Sequence, residues 1–497
     1  MSNQANPEGI NPSDEYQIRL QKLVKIKEQK INPYPPVSQR SFYIKEIIEN
    51  FEKLATEKNF IIAGRIISLR WHGKSCFGNL LDDSGKIQFY LKEDELGRDN
   101  YSFFIDQLDV GDILELKGGL FKTKKGEKTL LIKSYRLLSK SLLPLPAKWH
   151  GLEDVEIRFR KRYLDLIANP EAKEIFIKRS MIIKFIRNYL EKNNFLEVET
   201  PILQPQAGGA AAKPFSTHHN ALGVDLFLRI APELYLKRLI IGGFEQVFEI
   251  ARCFRNEGID FAHNPEFTQV EFYWAYKDYN FLMDFTENFI KDLIKAINGN
   301  LIIEVDGQKI DFAKKFPKLD YHDLIKKELK IDLDHYQTRF ELSEALKEKG
   351  IKTETAWGKG KMIDELFKKF IRPKIIQPIF LINHPLELSP LAKKIYDRPN
   401  YVERFQLIVN KMEIVNAFSE LNDPLEQNDR FVEQQKLKEA GDEETESMDN
   451  DFVEALKYGL PPTAGFGMGI DRLTTLLTNT HNLKEVILFP TLKPEKD

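Results

Sequence analysis

Cysteine is almost missing from this chain: Cys76 and Cys253 are the only two in 497 residues. They lie far apart and in no metal-ligand spacing, which excludes a cysteine-built zinc ribbon and fits a reducing cytosol. Long apolar runs are also lacking, so neither a membrane span nor a signal peptide is expected, and a cytoplasmic protein is. An excess of one charge sign is missing as well. The formal net charge is −2, which argues against a protein that coats nucleic acid over its whole surface but leaves room for a local basic patch. A dinucleotide fingerprint is absent: Gly465-Phe466-Gly467-Met468-Gly469, which reads as a glycine-rich turn running into an amphipathic helix, carries Ile470 where the third glycine would fall, with no βαβ unit after it. No internal repeat is visible.

What is present is a globular composition, 42% hydrophobic and 30% charged, in a chain too long for one ordinary core. From Ser13 a helix is expected, ending before Asn32-Pro33, with Arg19, Lys22, Lys25, Lys27 and Lys30 on a polar surface. That face reads either as solvated or as a contact for a nucleic-acid backbone. Short strands with glycine turns follow, Phe60–Leu69, Cys76–Asp82, Lys86–Leu91, Asp112–Phe121 and Thr129–Leu138, broken by a helical piece around 100–108. Five such strands suit a Greek-key barrel of the OB type, a fold that often stacks bases on aromatic rings. Pro144 and Pro146 mark a linker. Beyond it the periodicity of 173–193 places Ile177, Met181, Ile182, Phe185, Tyr189 and Leu190 on one helical stripe, followed by a strand at 195–199. Residues 205–214 read as a flexible, small-residue stretch, about 317–372 as a Lys-rich helical insertion, and 441–451 as an acidic loop or helix start. The fold class is therefore α+β: an N-terminal segment 1–58, an OB-type barrel 59–146, and 147–497 as an antiparallel sheet flanked by helices.

The most informative stretch runs from Phe248 to Tyr276. Runs at 247–255 and 266–275 flank a loop containing Gly258, Asn264 and Pro265, as in a long-looped hairpin. Strand alternation puts Phe267, Gln269, Glu271 and Tyr273 on one face, and Arg255, Cys253, Ala251 and Glu249 on one face of the partner. Arginine matches phosphate in a planar fork and an aromatic ring can stack on a base, so a nucleotide site is one reading and a solvated charged face the other.

Phe254-Arg255-Asn256-Glu257, His263, Phe267 and Glu271, in this order and spacing, resemble the second signature motif of the class II aminoacyl-tRNA synthetases. The helix, strand and Pro201 of 173–201 are similar to motif one, and Gly465–Arg472 to motif three. The resemblance implies ATP held by Arg255, Glu257, His263, Asn264, Phe267, Gly469 and Arg472. Arg255 would sit on the α-phosphate and substrate carboxylate, Phe267 on adenine, and Arg472 on the γ-phosphate. It implies a homodimer through motif one. It also implies magnesium on Glu413, although Gln406 stands where the family has a second glutamate. If Glu413 is to share a face with Asn416, its strand must bulge or begin irregularly.

The barrel resembles the anticodon-binding domain of the subclass IIb members, which maps Phe77 as a stacking ring and Gln88, Arg70 and Glu127 as base contacts. Taken alone, Phe77 reads as a core residue. Within subclass IIb, Glu233 and Glu420 resemble the lysyl branch. A buried ammonium requires carboxylates, with Tyr273 as a hydrogen-bond partner and Phe418 along the aliphatic stem. The same resemblance adds Gly209, Glu271 and Asn416 to the lysine site. The expected substrates are ATP, L-lysine and tRNA(Lys), with no membrane partner. The alternatives are an aspartyl- or asparaginyl-type enzyme, or a non-catalytic tRNA-binding paralogue.

Overall fold

A computed structural model describes residues 12–55, 60–146, 152, 154–261, 263–353, 357–439 and 448–495. The chain divides into two compact units, Met1–Leu152 and Glu153–Asp497.

In the first unit, strands Phe60–His72, Ser75–Leu81, Lys86–Lys92, Ile113–Lys122 and Lys128–Ser139 close into a barrel. Inward positions such as Cys76, Leu80, Ile87 and Phe89 are buried, while Phe77 and Tyr90 alternate outward. Phe77 is thus no core residue. The expected basic helix spans Pro12–Glu28, but it is not polar all round. Ile26 packs into the barrel core, and Arg19 is buried, paired with Glu15 and donating to the carbonyls of Val110, Ser141 and Leu143. Lys22 reaches Asp109 at 2.6 Å, and Asp109 shares Lys140 with buried Asp112. Arg19 and Lys22 therefore fasten the helix to the barrel, and the exposed basic face shrinks to Lys25, Lys27 and Lys30.

The second unit is built on one large sheet, edge to edge Lys318–Asp320, Ile379–Pro385, Arg398–Val409, Met412–Ser419, Thr463–Gly469, Glu266–Ala275, Gln246–Phe254 and Leu196–Glu197. All neighbours in that order are antiparallel except the two edge pairs. One face carries Phe248, Val270, Phe272, Phe405, Val415, Ala417, Phe466 and Met468. Against it pack the helices Pro170–Lys192, Tyr279–Asn298 and Ile470–Thr478, forming the main core. The other face is left for chemistry.

Three sequence expectations change here. The stretch at 317–372 is not purely helical: it opens on a strand that edges the main sheet, and its helices then enclose a core of their own with Leu381 and Ile408. Residues 205–214 contribute buried positions, Ala207, Gly208, Gly209 and Ala212, where small side chains permit close packing. On the helix Pro170–Lys192 the buried stripe is Ile182, Ile186 and Leu190, with Phe185 and Tyr189 beside it, while Ile177 and Met181 are 43% and 45% exposed. The acidic run 441–451 lies outside the described residues up to 447; Asp449 then caps the helix Asn450–Lys457. No described helix is long and apolar enough to cross a membrane.

Candidate active site

The strand Glu266–Ala275 lies between Gln246–Phe254 and Thr463–Gly469, and the latter pairs onward with Met412–Ser419. The register sets side chains in rows across the open face. Glu249, Glu271, Gly467 and Asn416 form one row, and Tyr273, Gly465 and Phe418 the next. Gln269 faces Gly469, and Cys253 faces Phe267. The expected faces of the hairpin are thus present, and two further strands extend them.

The glycine-rich stretch read from sequence as a turn is a strand, Thr463–Gly469. Its glycines fall at every second position, so they form a side-chain-free strip between Glu271 and Tyr273 on one side and Asn416 and Phe418 on the other. At Gly465 a Cβ would collide with the Glu420 carboxylate and the Tyr273 ring, whereas at Gly467 the nearest atoms are 3.7 Å away. Gly209 has φ +86°, and a Cβ there would meet that of Glu233 at 2.8 Å.

Glu233 starts the helix Glu233–Ile241, which packs over Tyr273. Between Glu233 and Glu420 stands a residue the sequence reading missed. The Lys237 ammonium is 2.6 Å from Glu233 Oε1 and 2.5 Å from Glu420 Oε2, and its side chain is wholly buried. Its spacing, four residues after Glu233, was the available signal. Burial alone would lower the Lys237 pKa, but the two carboxylates outweigh it and hold the ammonium above the ordinary lysine value. Burial pushes Glu420 up while Lys237 pulls against it. Glu271, also raised by burial, accepts from Gln269 Nε2 at 2.6 Å and more loosely from the Tyr273 hydroxyl at 3.4 Å. Glu249 is not available to a ligand, since Arg229 at 2.5 Å and the Thr200 hydroxyl satisfy it.

Next to this acidic end, the Arg255 guanidinium lies over the Phe267 ring at 4.9 Å. Arg255 Nε has no hydrogen-bond partner among the described residues. Asn264 is buried and donates to the Glu266 carbonyl, and its oxygen has no partner among the described residues. Glu257 and His263 are exposed on the hairpin loop, where Asp260 holds the imidazole. The fold does not bring these two onto the sheet face. Cys253, fully buried, has its thiol pKa pushed up to about 12 by burial first and then by Glu271, so it is no nucleophile.

Met412–Ser419 bulges. Leu407 faces Val415 while Ile408 faces Glu413, so one extra residue, Ile414, sits between them. The bulge turns Glu413 onto the face of Asn416. There its Oε2 accepts from Gln406 Nε2 at 2.9 Å, and its backbone carbonyl accepts from Arg472 at 3.2 Å. Arg404, half-buried and given no site role from the sequence, donates to the Asn416 side chain at 2.7 Å and orients it. For a hard dication the pair offers one carboxylate and one neutral amide whose NH₂ turns toward that carboxylate. Such a set fits an ion that takes its other ligands from substrate oxygens and water.

On the barrel, Phe77 faces Arg70 on one neighbouring strand and Tyr90 on the other, its ring centroid 4.4 Å from that of Tyr90. Phe121 approaches Tyr90 at 6.1 Å, and Gln88 shares this outer face and accepts from the Thr129 hydroxyl. Tyr90 and Phe121 were missed in the sequence because single strand aromatics look like core. Glu127 lies in an exposed turn outside the Phe77 row.

The glycine strip supplies a direct test. Gly465→Ala is expected to destabilise the chain by about 1–3 kcal/mol, because the intruding methyl meets a buried carboxylate and ring. Gly467→Ala should stay within about 0.5 kcal/mol. Urea denaturation of the two variants checks the contrast, and equal midpoints would remove the crowding argument.

A family profile described as tRNA synthetases class II (D, K and N) matches residues 154–493, and one described as OB-fold nucleic acid binding domain matches 60–138. A lysine–tRNA ligase of Syntrophomonas wolfei is 48% identical over 485 residues, covering 98% of each chain. Lysine–tRNA ligases of Aquifex aeolicus (48%, 98% of this chain and 82% of that one) and Campylobacter jejuni (46%, 97% of each) are similar over the same span. With motif-two, motif-three and barrel residues in one register-defined arrangement within each unit, and a profile match over most of its length, the chain belongs to the class II tRNA synthetases of the D, K and N group.

Proposed function

We propose that the chain activates L-lysine with ATP to lysyl-adenylate and transfers the lysyl group to the 3′ end of tRNA(Lys). The observation that carries this reading is the buried acidic end of the site: Glu233 and Glu420 share a single resident ammonium, Lys237, and a third buried carboxylate, Glu271, has only Gln269 and Tyr273 as its hydrogen-bond donors. Buried carboxylates in excess over cations demand a cationic ligand. An aspartate side chain would instead need a free cation, and Lys237 is already claimed by two acids. The names of its relatives, lysine–tRNA ligases, point the same way.

In this reading Glu233, Glu420 and Tyr273 receive the ε-ammonium, Phe418 lies along the stem, and Glu271 with Gly209 faces the α-ammonium. Asn416, held by Arg404, and Arg255 take the carboxylate. That carboxylate attacks the α-phosphorus in line, a P–O bond forms to the substrate, and pyrophosphate leaves. Arg255 stabilises the charge gathering on the α-phosphoryl oxygens, Phe267 stacks on adenine, and Arg472 steadies the departing phosphates. Asn264 and Gly469 complete the nucleotide site, and Glu257 and His263, on the exposed hairpin loop, are retained as ATP contacts on resemblance alone. Catalysis is then positioning and electrostatics without an enzyme nucleophile. Magnesium, when bound, neutralises phosphate charge, and Glu413 is the residue that would hold it. In the second step a terminal ribose hydroxyl of tRNA attacks the adenylate carbonyl and AMP leaves.

The aromatic row of the barrel is assigned to the anticodon, through Phe77 with Arg70 and Gln88, and Glu127 is retained as a contact on resemblance alone. The exposed apolar residues Ile177 and Met181 border a surface with Leu166, Phe176 and Leu488, which supports a homodimer through this helix. We place the protein in the cytoplasm.

Four tests follow from these assignments. In ATP–pyrophosphate exchange with a panel of amino acids, lysine alone should support turnover. Glu233→Gln and Glu420→Gln should each cost about 2–5 kcal/mol in lysine-dependent exchange, while ATP affinity holds. Wild-type rates in both variants would move the lysine pocket elsewhere. Gln406→Glu sets a second carboxylate beside Glu413, so half-maximal exchange should need less magnesium. An unchanged titration means that other ligands hold the ion. Phe77→Ala should lower tRNA charging about tenfold, a stacking loss of roughly 1–3 kcal/mol, and leave exchange intact. A parallel fall in exchange with early melting would make Phe77 structural.

A further inference from the structure

The geometry points to Lys237 as a built-in counter-cation that keeps Glu233 and Glu420 both ionised, so that their pocket retains one net negative charge for one incoming ammonium. This inference rests on the lysine reading above and adds a positioning residue to it.

Lys237 comes from the helix that carries Glu233, one turn further on. Side chains on a helix lean toward its N-terminus, so the lysine stem delivers its ammonium to Glu233. Across the gap Glu420 binds the same ammonium, at 2.5 Å. The rings of Tyr273, Phe418 and Phe452 surround it at 6.0, 5.5 and 5.7 Å, a cage that holds a cation in place. With no exposed surface and partners on every side, Lys237 is a resident of the pocket floor and not a stand-in for substrate.

The acids keep capacity beyond it. Glu420 Oε1 has no hydrogen-bond partner among the described residues, and it faces the glycine strip at Gly465. Two carboxylates and one ammonium sum to −1, which one substrate ammonium neutralises. Without Lys237, two buried carboxylates this close cannot both stay ionised. One would take a proton, and the pocket would lose the charge that selects its substrate. The surrounding groups do not replace the lysine. Glu271 and Tyr273 on the neighbouring strand can only add negative charge or stay neutral. Arg229 is committed to Glu249, and Arg404 to Asn416 and Ser389. Arg255 lies over Phe267.

The test is the KM for lysine in ATP–pyrophosphate exchange, measured from pH 6 to 8.5 or so in wild type, Lys237→Met, Lys237→Gln and Lys237→Arg. Where a pocket acid is protonated, binding an ammonium must expel that proton, so KM falls as pH rises until the acid ionises by itself. Removing a cation within contact distance raises an acid by about 1–3 units. The pH at which KM levels off should therefore move up by about that much in Lys237→Met and in Lys237→Gln, whose amide can still donate to an acid. Lys237→Arg should keep the wild-type inflection. An inflection unmoved in the neutral variants makes Lys237 mere packing. A KM below wild type at every pH makes it a competitor for the substrate's seat. A chain that folds only with Lys or Arg at 237 assigns the cation to stability alone. Each of these outcomes overturns the proposal. Absence of lysine-dependent exchange in wild type would instead sink the lysine reading itself.

Discussion

The site exists because four strands hold one antiparallel register. Gln246–Phe254, Glu266–Ala275, Thr463–Gly469 and Met412–Ser419 alternate their side chains in phase. Phe248, Phe272, Phe466 and Ala417 enter the helix-covered core, while Glu271, Tyr273, Gly465, Gly467, Asn416 and Phe418 face out. The period is two, so a slip of one residue would exchange the two sets. It would bury Glu271 among aromatic rings and expose Phe272 and Phe466, both almost wholly buried here. The hydrophobic core therefore fixes where the open face and its polar side chains sit. Glycine at alternate positions of the third strand then opens the space that its neighbours line.

Charge is handled locally on that face. Burial penalises every carboxylate there, and each is answered by a nearby donor or cation. Arg229 answers Glu249, Gln269 answers Glu271, and Lys237 is shared between Glu233 and Glu420. A shared ammonium leaves its acids incompletely neutralised. In the proposed reading the substrate's ammonium completes that pairing, which makes the pocket selective.

Much of the hairpin was legible. Its apolar alternation and the Asn264-Pro265 loop signal are local properties, and the strand at 266–275 appears with the expected ends. The barrel strands were legible for the same reason. Other features were hidden because they depend on partners far away in sequence. The bulge at Ile414 is visible only against the pairing with Arg398–Val409. Nothing in the local pattern around Lys237 marks it as a site residue; the fold brings Glu420, 183 residues later, beside it. Arg19 likewise belonged to a polar face until the carbonyls of Val110, Ser141 and Leu143 claimed its guanidinium. Glycine spacing at 465–469 is as compatible with a turn as with a strand, and the neighbouring strands decided between them.

By itself the sequence determined the order of the two units, the family resemblance carried by Arg255, Phe267 and Arg472, and the pairing of residue types that a cationic substrate requires. These follow from local periodicity and from short spacings, which the chain carries whatever its distant contacts. Only the tertiary structure decided which carboxylates are free and which are spent on Arg229 or Lys237, that Glu413 shares a face with Asn416, and that Phe77 points outward beside Tyr90. Those outcomes depend on register and burial between segments up to about two hundred residues apart, such as Lys237 and Glu420. At such separations a side chain's charge state is set by its neighbours in space, and no local pattern encodes them.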